Sequence, residues 1–194
     1  SIQILPKLCK LEKNVIDEDK EKQIVKNLIY MLSYTRKIKV KESEITKLCD
    51  NKDNLLLEVL IHLFAKNLFN TLKTNYYRNY TQKENNLHYI KGKILFNQNI
   101  KKNNIRKDLV YCEYYEFTEN ILLNQIFKYT TNLLVSITGN EENKILLKQI
   151  ALIFSDIDDK VIVPTDFNKL KINRLNKVFD PLIQLAKIFL LNGS

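Results

Sequence analysis

The chain has 194 residues, a length that suits one domain or one domain with an appendage. Its 31 Lys and Arg residues outnumber 22 Asp and Glu residues, which leaves a formal net charge of +9. Hydrophobic residues make up 45% of the chain, enough to build a core and to exclude overall disorder. Only three Gly and three Pro residues are present, which excludes collagen-like and Gly-loop-dependent architectures.

Membrane and secreted classes are disfavoured by the sequence. It contains no apolar run of 18 residues and no recognisable signal peptide. Three widely spaced Cys residues and two His residues do not suggest a disulfide framework or a structural zinc site. We therefore expect a protein of the reducing cytoplasm.

The N-terminal region is predicted to hold a short strand and a connector, over residues 1–21. Residues 1–8 alternate apolar and polar side chains, and Pro6 confines that strand to an edge or an end. Because the chain begins at Ser1 without an initiator methionine, we expect this strand to be the remnant of something longer upstream. Residues 22–194 are predicted to form a helical domain.

Apolar residues at spacings of three and four predict most of that domain to be helical. Before residue 76 we expect helices over about 19–35, 42–49 and 54–74, the last capped by Asp53 or Asn54. After residue 117 we expect a helix capped by Thr118 and ended by Gly139, followed by helices over about 141–154, at 164–167 and from Asp180 onward.

Between these helices the pattern changes to that of strands. Residues 76–117 contain seven of the ten Tyr residues, and two runs rich in β-branched and aromatic residues, 87–96 and 109–117, flank a polar segment. This predicts an inserted β-hairpin at about 87–117 with a long tip. The expected fold class is mainly α (α+β): a helical domain with an inserted β-hairpin and a short N-terminal strand.

The predicted core consists of apolar residues on the long helices, with Arg174 interpreted as a buried side chain that ties helices together. The core residues are Leu56, Leu60, Phe64, Leu68, Leu122, Ile126, Leu133, Leu182, Leu185 and Phe189.

No complete catalytic or metal site is visible in the sequence. A Walker-type phosphate loop is absent, and neither His62 nor His88 has a second ligand at metal spacing. Four Asp/Glu-x-Lys triplets fit part of a metal-dependent nuclease pattern, but none follows a strand that carries the required upstream acid. They begin at Glu18, Asp50, Glu142 and Asp158.

The strongest signal is a basic segment over residues 91–107, which contains six cations and no acid. Its charge of +6 is two-thirds of the net charge. Cations interleaved with Tyr suit phosphate contacts and base stacking, and they equally suit an acidic channel in a partner protein. A solvated loop in a Lys- and Asn-rich chain is the third interpretation. The cations are Lys91, Lys93, Lys101, Lys102, Arg106 and Lys107.

An ordered series of motifs resembles the McrC family, the second subunit of McrBC modification-dependent restriction systems. No single motif is specific, but their order and spacing from about residue 24 to the end are characteristic. They include Asn27-Leu-Ile-Tyr30, Leu56-Leu-Glu-Val-Leu60, Tyr77-Arg-Asn-Tyr80, Ile90-Lys-Gly-Lys-Ile94, Tyr111-Cys-Glu-Tyr-Tyr115, Pro164-Thr-Asp-Phe167 and Asn173-Arg-Leu-Asn176.

This resemblance implies a division of labour. It implies a partner, the hexameric McrB-type AAA+ GTPase, whose GTP hydrolysis is stimulated by a projecting element, here the inserted hairpin. A PD-(D/E)xK nuclease domain is implied downstream, so that GTP and Mg²⁺ belong to the partner or to that domain and no cofactor to this chain.

The resemblance also bears on the partner-binding residues. Lys91, Gly92 and Lys93 match the family's Lys-Gly-Lys/Arg step, and Gly92 is expected where backbones approach closely. Lys101, Lys102, Arg106 and Lys107 are candidates from charge alone. The alternative is a stand-alone nucleic-acid-binding module that uses the basic, Tyr-rich hairpin, and DNA remains a candidate partner on either hypothesis.

Overall fold

The computed structural model describes residues 55–192 and, in addition, Asn27, which is helical. The predicted N-terminal strand, the connector, the short helix at 42–49 and the capping residues Asp53 and Asn54 lie outside the described residues, as does the rest of the helix predicted over 19–35.

Residues 55–192 contain five α-helices, three strands and two short 3₁₀ helices. We call the helical part the body and residues 79–118 the insertion. In chain order the elements are α1 (Leu55–Thr74), β1 (Asn79–Leu87), β2 (Lys93–Ile94), α2 (Phe96–Asn103), β3 (Val110–Thr118), α3 (Leu122–Ile137), α4 (Glu141–Ile153), the 3₁₀ helices Pro164–Lys169 and Lys177–Phe179, and α5 (Asp180–Asn192).

The body is held together by aromatic and aliphatic side chains from its four helices. The Phe64 ring lies 6.3 Å from that of Phe127 and 5.8 Å from that of Phe189, so α1 meets α3 and α5 at one point. The Phe179 ring lies 5.7 Å from that of Phe127. Six of the ten predicted core residues are fully buried: Phe64, Leu68, Ile126, Leu182, Leu185 and Phe189.

The buried face of α3 differs from the predicted one. Leu133 is only half-buried, and Leu123, Phe127 and Leu134 face the core instead. The same face carries buried Asn124, whose amide donates to the carbonyl of Tyr77 at 3.0 Å. A buried polar residue on this stripe blurs the apolar periodicity, which explains the error.

The predicted N-cap of that helix was also wrong. The helix begins at Leu122, after Ile121, and not at Thr118. The hydroxyl of Thr118 instead accepts a hydrogen bond from the backbone N–H of Asn120 at 3.1 Å. Thr118 therefore closes a turn between the insertion and α3 rather than capping the helix.

A buried carboxylate joins α1 to the turn between α3 and α4. Glu58 accepts hydrogen bonds from the hydroxyl of Thr138 at 2.7 Å, the backbone N–H of Gly139 at 2.7 Å and the amide of Asn143 at 2.9 Å. The Asn143 carbonyl oxygen in turn lies 2.9 Å from Nδ1 of His62. Gly139 follows the end of α3 as predicted, and its backbone N–H is paired with the Glu58 carboxylate.

The segment before α5 is organised by side-chain amides. Asn173 accepts from the backbone N–H of Asn176 at 3.1 Å, and the amide of Asn176 donates to the Lys171 carbonyl at 3.0 Å. Arg174, predicted to be buried between helices, is exposed. The Asn residues already satisfy this turn, so the guanidinium has no buried acceptor to reach.

The insertion contains a three-stranded antiparallel sheet of order β1-β3-β2. β3 pairs along its whole length with β1, from Asn79 opposite Thr118 to Leu87 opposite Val110. The fold class is confirmed, and the strand predicted at 109–117 is β3. Within the strand predicted at 87–96, only Leu87, at the end of β1, and Lys93–Ile94 are strand, and the long tip contains the helix Phe96–Asn103.

The reason lies in the composition of β1. Its nine residues, NYTQKENNL, are mostly polar and mostly exposed, so they lack the apolar alternation by which strands are recognised. Pairing with β3 determines their conformation. Along residues 55–192 no helix is long and apolar enough to cross a membrane.

Candidate partner-binding surface

The candidate surface is built on β3, the central strand of the insertion. Cys112 and Tyr114 are buried on one face of the sheet, whereas Tyr115 and Phe117 are exposed on the other. Alternation along the strand explains this division. The loop before β2 returns over the buried face and brings Lys91 above the ring of Tyr114, with 4.1 Å between Nζ and the ring centroid.

Gly92 makes this return possible. Its φ is +73°, and a Cβ at this position would lie 2.4 Å from the carbonyl oxygen of Glu113 and 3.0 Å from Cβ of Tyr114. Both the backbone conformation and the close approach require glycine. The predicted close backbone approach at Gly92 is confirmed, but it lies beside the middle of β3 and not, as expected, where the stem of the hairpin leaves the body.

Helix α2 is held on the sheet by three asparagine side chains. Asn99 accepts from the backbone N–H of Tyr111 at 2.9 Å, and the amide of Asn103 donates to Asn99 at 2.7 Å. Asn86 on β1 and Asn103 exchange two amide hydrogen bonds, each 2.7 Å long. Asn103 is buried although polar. We call Asn86, Asn99 and Asn103 the amide cluster.

Several charges of the insertion are paired at its surface. Lys83 Nζ lies 2.5 Å from a carboxylate oxygen of Glu116, which lowers the pKa of Glu116 and raises the pKa of Lys83. Lys91 approaches the other oxygen of Glu116 at 3.9 Å. Because these groups are exposed, the pairs orient side chains more than they stabilise the fold.

The predicted cations differ in whether their charged groups have a partner within the insertion. Lys91 and Arg106 are paired, the latter with Asp108 at 3.3 Å, where the guanidinium lowers the pKa of the Asp108 carboxyl. Lys102 lies over the ring of Tyr111 at 4.0 Å. The remaining group, Lys93, Lys101 and Lys107, is exposed and has no carboxylate partner among the described residues.

The structure places these cations on three segments. Lys91 and Lys93 flank Gly92, and Lys101 and Lys102 lie together on the last turn of α2, while Arg106 and Lys107 follow it. Positive charges at a helix C-terminus also complement the helix dipole, so Lys101 and Lys102 stabilise α2 locally.

The sequence indicated Tyr residues interleaved with cations, but it did not indicate which aromatic side chains are exposed. Among the described residues, all five exposed aromatic side chains lie in the insertion: Tyr80, Tyr89, Phe96, Tyr115 and Phe117. The rings of Tyr80 and Phe117 stand 5.1 Å apart on directly opposed residues of β1 and β3. An aromatic residue in a strand is usually assigned to the core, so exposure of these rings had no signal in the sequence.

Two acidic residues near the end of α4 and beyond it are paired with lysines. Asp159 lies 2.8 Å from Nζ of Lys128, and Lys160 lies 3.6 Å from Asp166. Between residues 55 and 192 no three His, Cys, Asp or Glu side chains are grouped to hold a metal ion. The surface described above therefore offers binding chemistry through cations and exposed rings.

The whole chain, residues 1–194, matches a protein family described as a McrBC 5-methylcytosine restriction system component. No curated protein matches it significantly.

Solved structures with a similar fold come from Thermococcus gammatolerans. A chain of the half-complex from a tetradecameric assembly of McrB AAA+ hexamers with bound McrC is 27% identical, with a TM-score of 0.69, over 89% of this chain and 42% of that chain. A chain of the cryo-EM structure of the McrBC complex is 28% identical, with a TM-score of 0.68, over 85% of this chain and 50% of that chain. The present chain thus spans about half of those chains or less.

Proposed function

We propose, since this chain belongs to the family of McrBC 5-methylcytosine restriction-system components, that it is the non-catalytic region of a McrC-like subunit. In this proposal it docks on the hexamer of a McrB-type AAA+ GTPase through the basic insertion. Docking stimulates GTP hydrolysis and couples it to DNA cleavage by a PD-(D/E)xK nuclease domain downstream. GTP and Mg²⁺ belong to the partner or to that domain.

One observation carries this proposal. The chain shares its fold over 89% of its length with a chain from an assembly described as McrB AAA+ hexamers with bound McrC, at 27% identity. At that identity the likeness supports a common role as well as a common fold. Because 89% of the chain is matched, the insertion cannot lie wholly outside the shared fold, and its basic surface makes it our candidate for the docking element.

The insertion has the physical properties of a docking element. β3 is paired on both sides and α2 is fixed by the amide cluster, so the unit satisfies its own backbone and stays folded when it projects. Among the described residues, Lys93, Lys101 and Lys107 have no carboxylate partner that they would have to leave. They are available to carboxylates, or to phosphates whose charge grows during hydrolysis, on the partner ring.

Turnover of GTP by the McrB-type hexamer, with and without this chain, tests the proposal. Replacing Lys101, Lys102, Arg106 and Lys107 by Ala is expected to lower the stimulation about tenfold or more, because four cations leave the docking surface. The matched control removes four exposed cations from the body: Lys73→Ala, Lys148→Ala, Lys171→Ala and Lys177→Ala.

The possible outcomes distinguish an error in the proposed function from an error in the proposed docking residues. If the unaltered chain neither binds the hexamer nor stimulates it, the proposed function is wrong. If the unaltered chain stimulates and the fourfold variant stimulates equally, the cations are not the docking residues.

A nucleic-acid-binding module is the second candidate, and the exposed rings beside cations favour it. Stacking on Tyr80, Tyr115 or Phe117 would suit single-stranded DNA. This function predicts affinity for labelled DNA that falls steeply with salt in the absence of any GTPase. Salt-independent or undetectable DNA binding by the isolated chain would exclude it.

A further inference from the structure

We infer that α2 carries an apolar ridge, formed by Phe96 and Ile100, that binds an apolar recess with an acidic rim on the partner protein. The inference rests on the proposed function and specifies it further. The ridge supplies most of the binding free energy, whereas the neighbouring lysines orient the two proteins and raise the association rate.

Helix α2 contacts the sheet through amides and leaves its apolar side chains exposed. Its inner side, which contacts the sheet, is formed by Asn99 and Asn103, both engaged in hydrogen bonds. Its apolar side chains remain outside: Phe96 is 69% exposed and Ile100 is 66% exposed. A helix that served only to cover the sheet would place its apolar side chains inward.

The two exposed apolar side chains of α2 are also neighbours. Phe96 and Ile100 are four residues apart, so their side chains lie one above the other on the same face of the helix. Two residues beyond the helix, Ile105 is 94% exposed. Neighbouring apolar side chains on a projecting element mark an interaction site, whereas single exposed apolar residues do not.

The residues around the ridge carry positive charge. No acid occurs between residues 91 and 107, and Lys101 directly follows Ile100 in the helix. A matching surface must therefore present carboxylates beside its apolar recess. An apolar, aromatic centre with a charged rim is the usual anatomy of a protein–protein interface.

The same features disfavour a nucleic acid as the occupant of the ridge. Ile100 offers no planar face on which a base can stack. Lys102, which lies on the far side of the helix, is engaged over the Tyr111 ring. The comparison with an assembly of McrB AAA+ hexamers with bound McrC identifies the protein partner to be tested.

The test compares the dissociation constant of the full chain for the McrB-type hexamer, loaded with a non-hydrolysable GTP analogue, at low and high salt. The variant is Phe96→Ala with Ile100→Ala, which keeps good helix formers in α2. We expect affinity to fall about 30-fold or more at both salt concentrations, because apolar contacts are insensitive to screening. Lys101→Ala with Lys102→Ala is expected to weaken binding mainly at low salt.

The matched control removes two exposed apolar side chains from α4, Ile145→Ala with Leu152→Ala, and is expected to bind normally. Thermal unfolding of all variants checks that the fold is intact. Equal affinity of the ridge variant and the unaltered chain overturns the inference and leaves the proposed function standing. Absence of binding by the unaltered chain overturns both, and a ridge variant that loses DNA affinity but keeps hexamer affinity overturns the inference in favour of nucleic acid.

Discussion

The body and the insertion use their side chains in opposite ways. In the body, rings such as Phe64, Phe127 and Phe179 fill the interior, and polar groups lie mostly outside. In the insertion, amides fill the contact between α2 and the sheet, and rings such as Phe96 and Phe117 lie outside. The difference is the one expected if the body provides stability and if the insertion, as we propose, provides the surface that contacts a partner.

The largest effect that tests this contrast is expected from Phe127→Ala. Phe127 is fully buried and contacts the rings of Phe64 and Phe179, so its loss leaves a cavity between helices. The free energy of unfolding should fall by about 3–5 kcal/mol, measured by urea denaturation. Phe96→Ala removes a ring of equal size from the insertion and should change the same quantity by less than about 0.5 kcal/mol. Similar losses for the two variants would contradict the contrast.

An intermediate effect is expected from Gly92→Ala. The added Cβ meets the Glu113 carbonyl and the residue must hold a φ of +73°, which together cost about 1–3 kcal/mol. Amide hydrogen exchange should accelerate in β2 and β3 and stay unchanged in α1. Gly139→Ala is the control, since the nearest atom to its Cβ is 3.9 Å away and this variant should keep full stability. Uniform acceleration throughout the chain would show that the insertion and the body unfold together.

The smallest effect is expected in the pH dependence of the free energy of unfolding, where a buried carboxylate is compared with an exposed one. Asp166 is nearly inaccessible and accepts from Lys169 at 2.8 Å and from the Val163 backbone N–H at 3.2 Å, which lowers the pKa of its carboxyl below the ordinary 3.8. Its contribution to stability is therefore complete above about pH 4 and is lost as the pH falls below 3.8 through the folded-state pKa.

Urea denaturation across pH 2–7 is the measurement for this prediction, and Asp166→Asn should lower stability at pH 7 and flatten its dependence at acid pH. Glu116→Gln is the control from the insertion. The pKa of Glu116 is also lowered, by Lys83, but the pair is exposed and should contribute little to stability. A larger effect of Glu116→Gln than of Asp166→Asn would reverse the expected order.

The helices of the body were largely predictable because apolar periodicity is a strong signal over long segments. The bounds of α1 and α4 agree with expectation to within a residue, and Phe64, Leu68 and Ile126 are buried as predicted. Errors arose where polar side chains carry out the packing. Asn124 shifts the buried face of α3, and Asn173 with Asn176 leaves Arg174 exposed.

The insertion was predictable in composition and in its central strand β3, but not in β1 or α2. The segregation of cations in residues 91–107 identified the region, and glycine at position 92 indicated a close backbone approach. Helix α2 went unrecognised because it is only eight residues long, the residues that contact the sheet, Asn99 and Asn103, are polar, and its two apolar residues are exposed. The partner-binding roles of the seven predicted residues stay predictions.

The amide cluster separates the folding of the insertion from the identity of its outer surface. Asn86, Asn99 and Asn103 attach α2 through side chains that a partner never needs to touch. Substitutions at positions 96, 97, 100 and 101 leave those hydrogen bonds in place. If the insertion docks as we propose, the exposed residues of α2 can therefore change together with the partner surface while the helix stays attached. A helix that recognises a different hexamer could be grafted onto the same sheet by keeping the three asparagines.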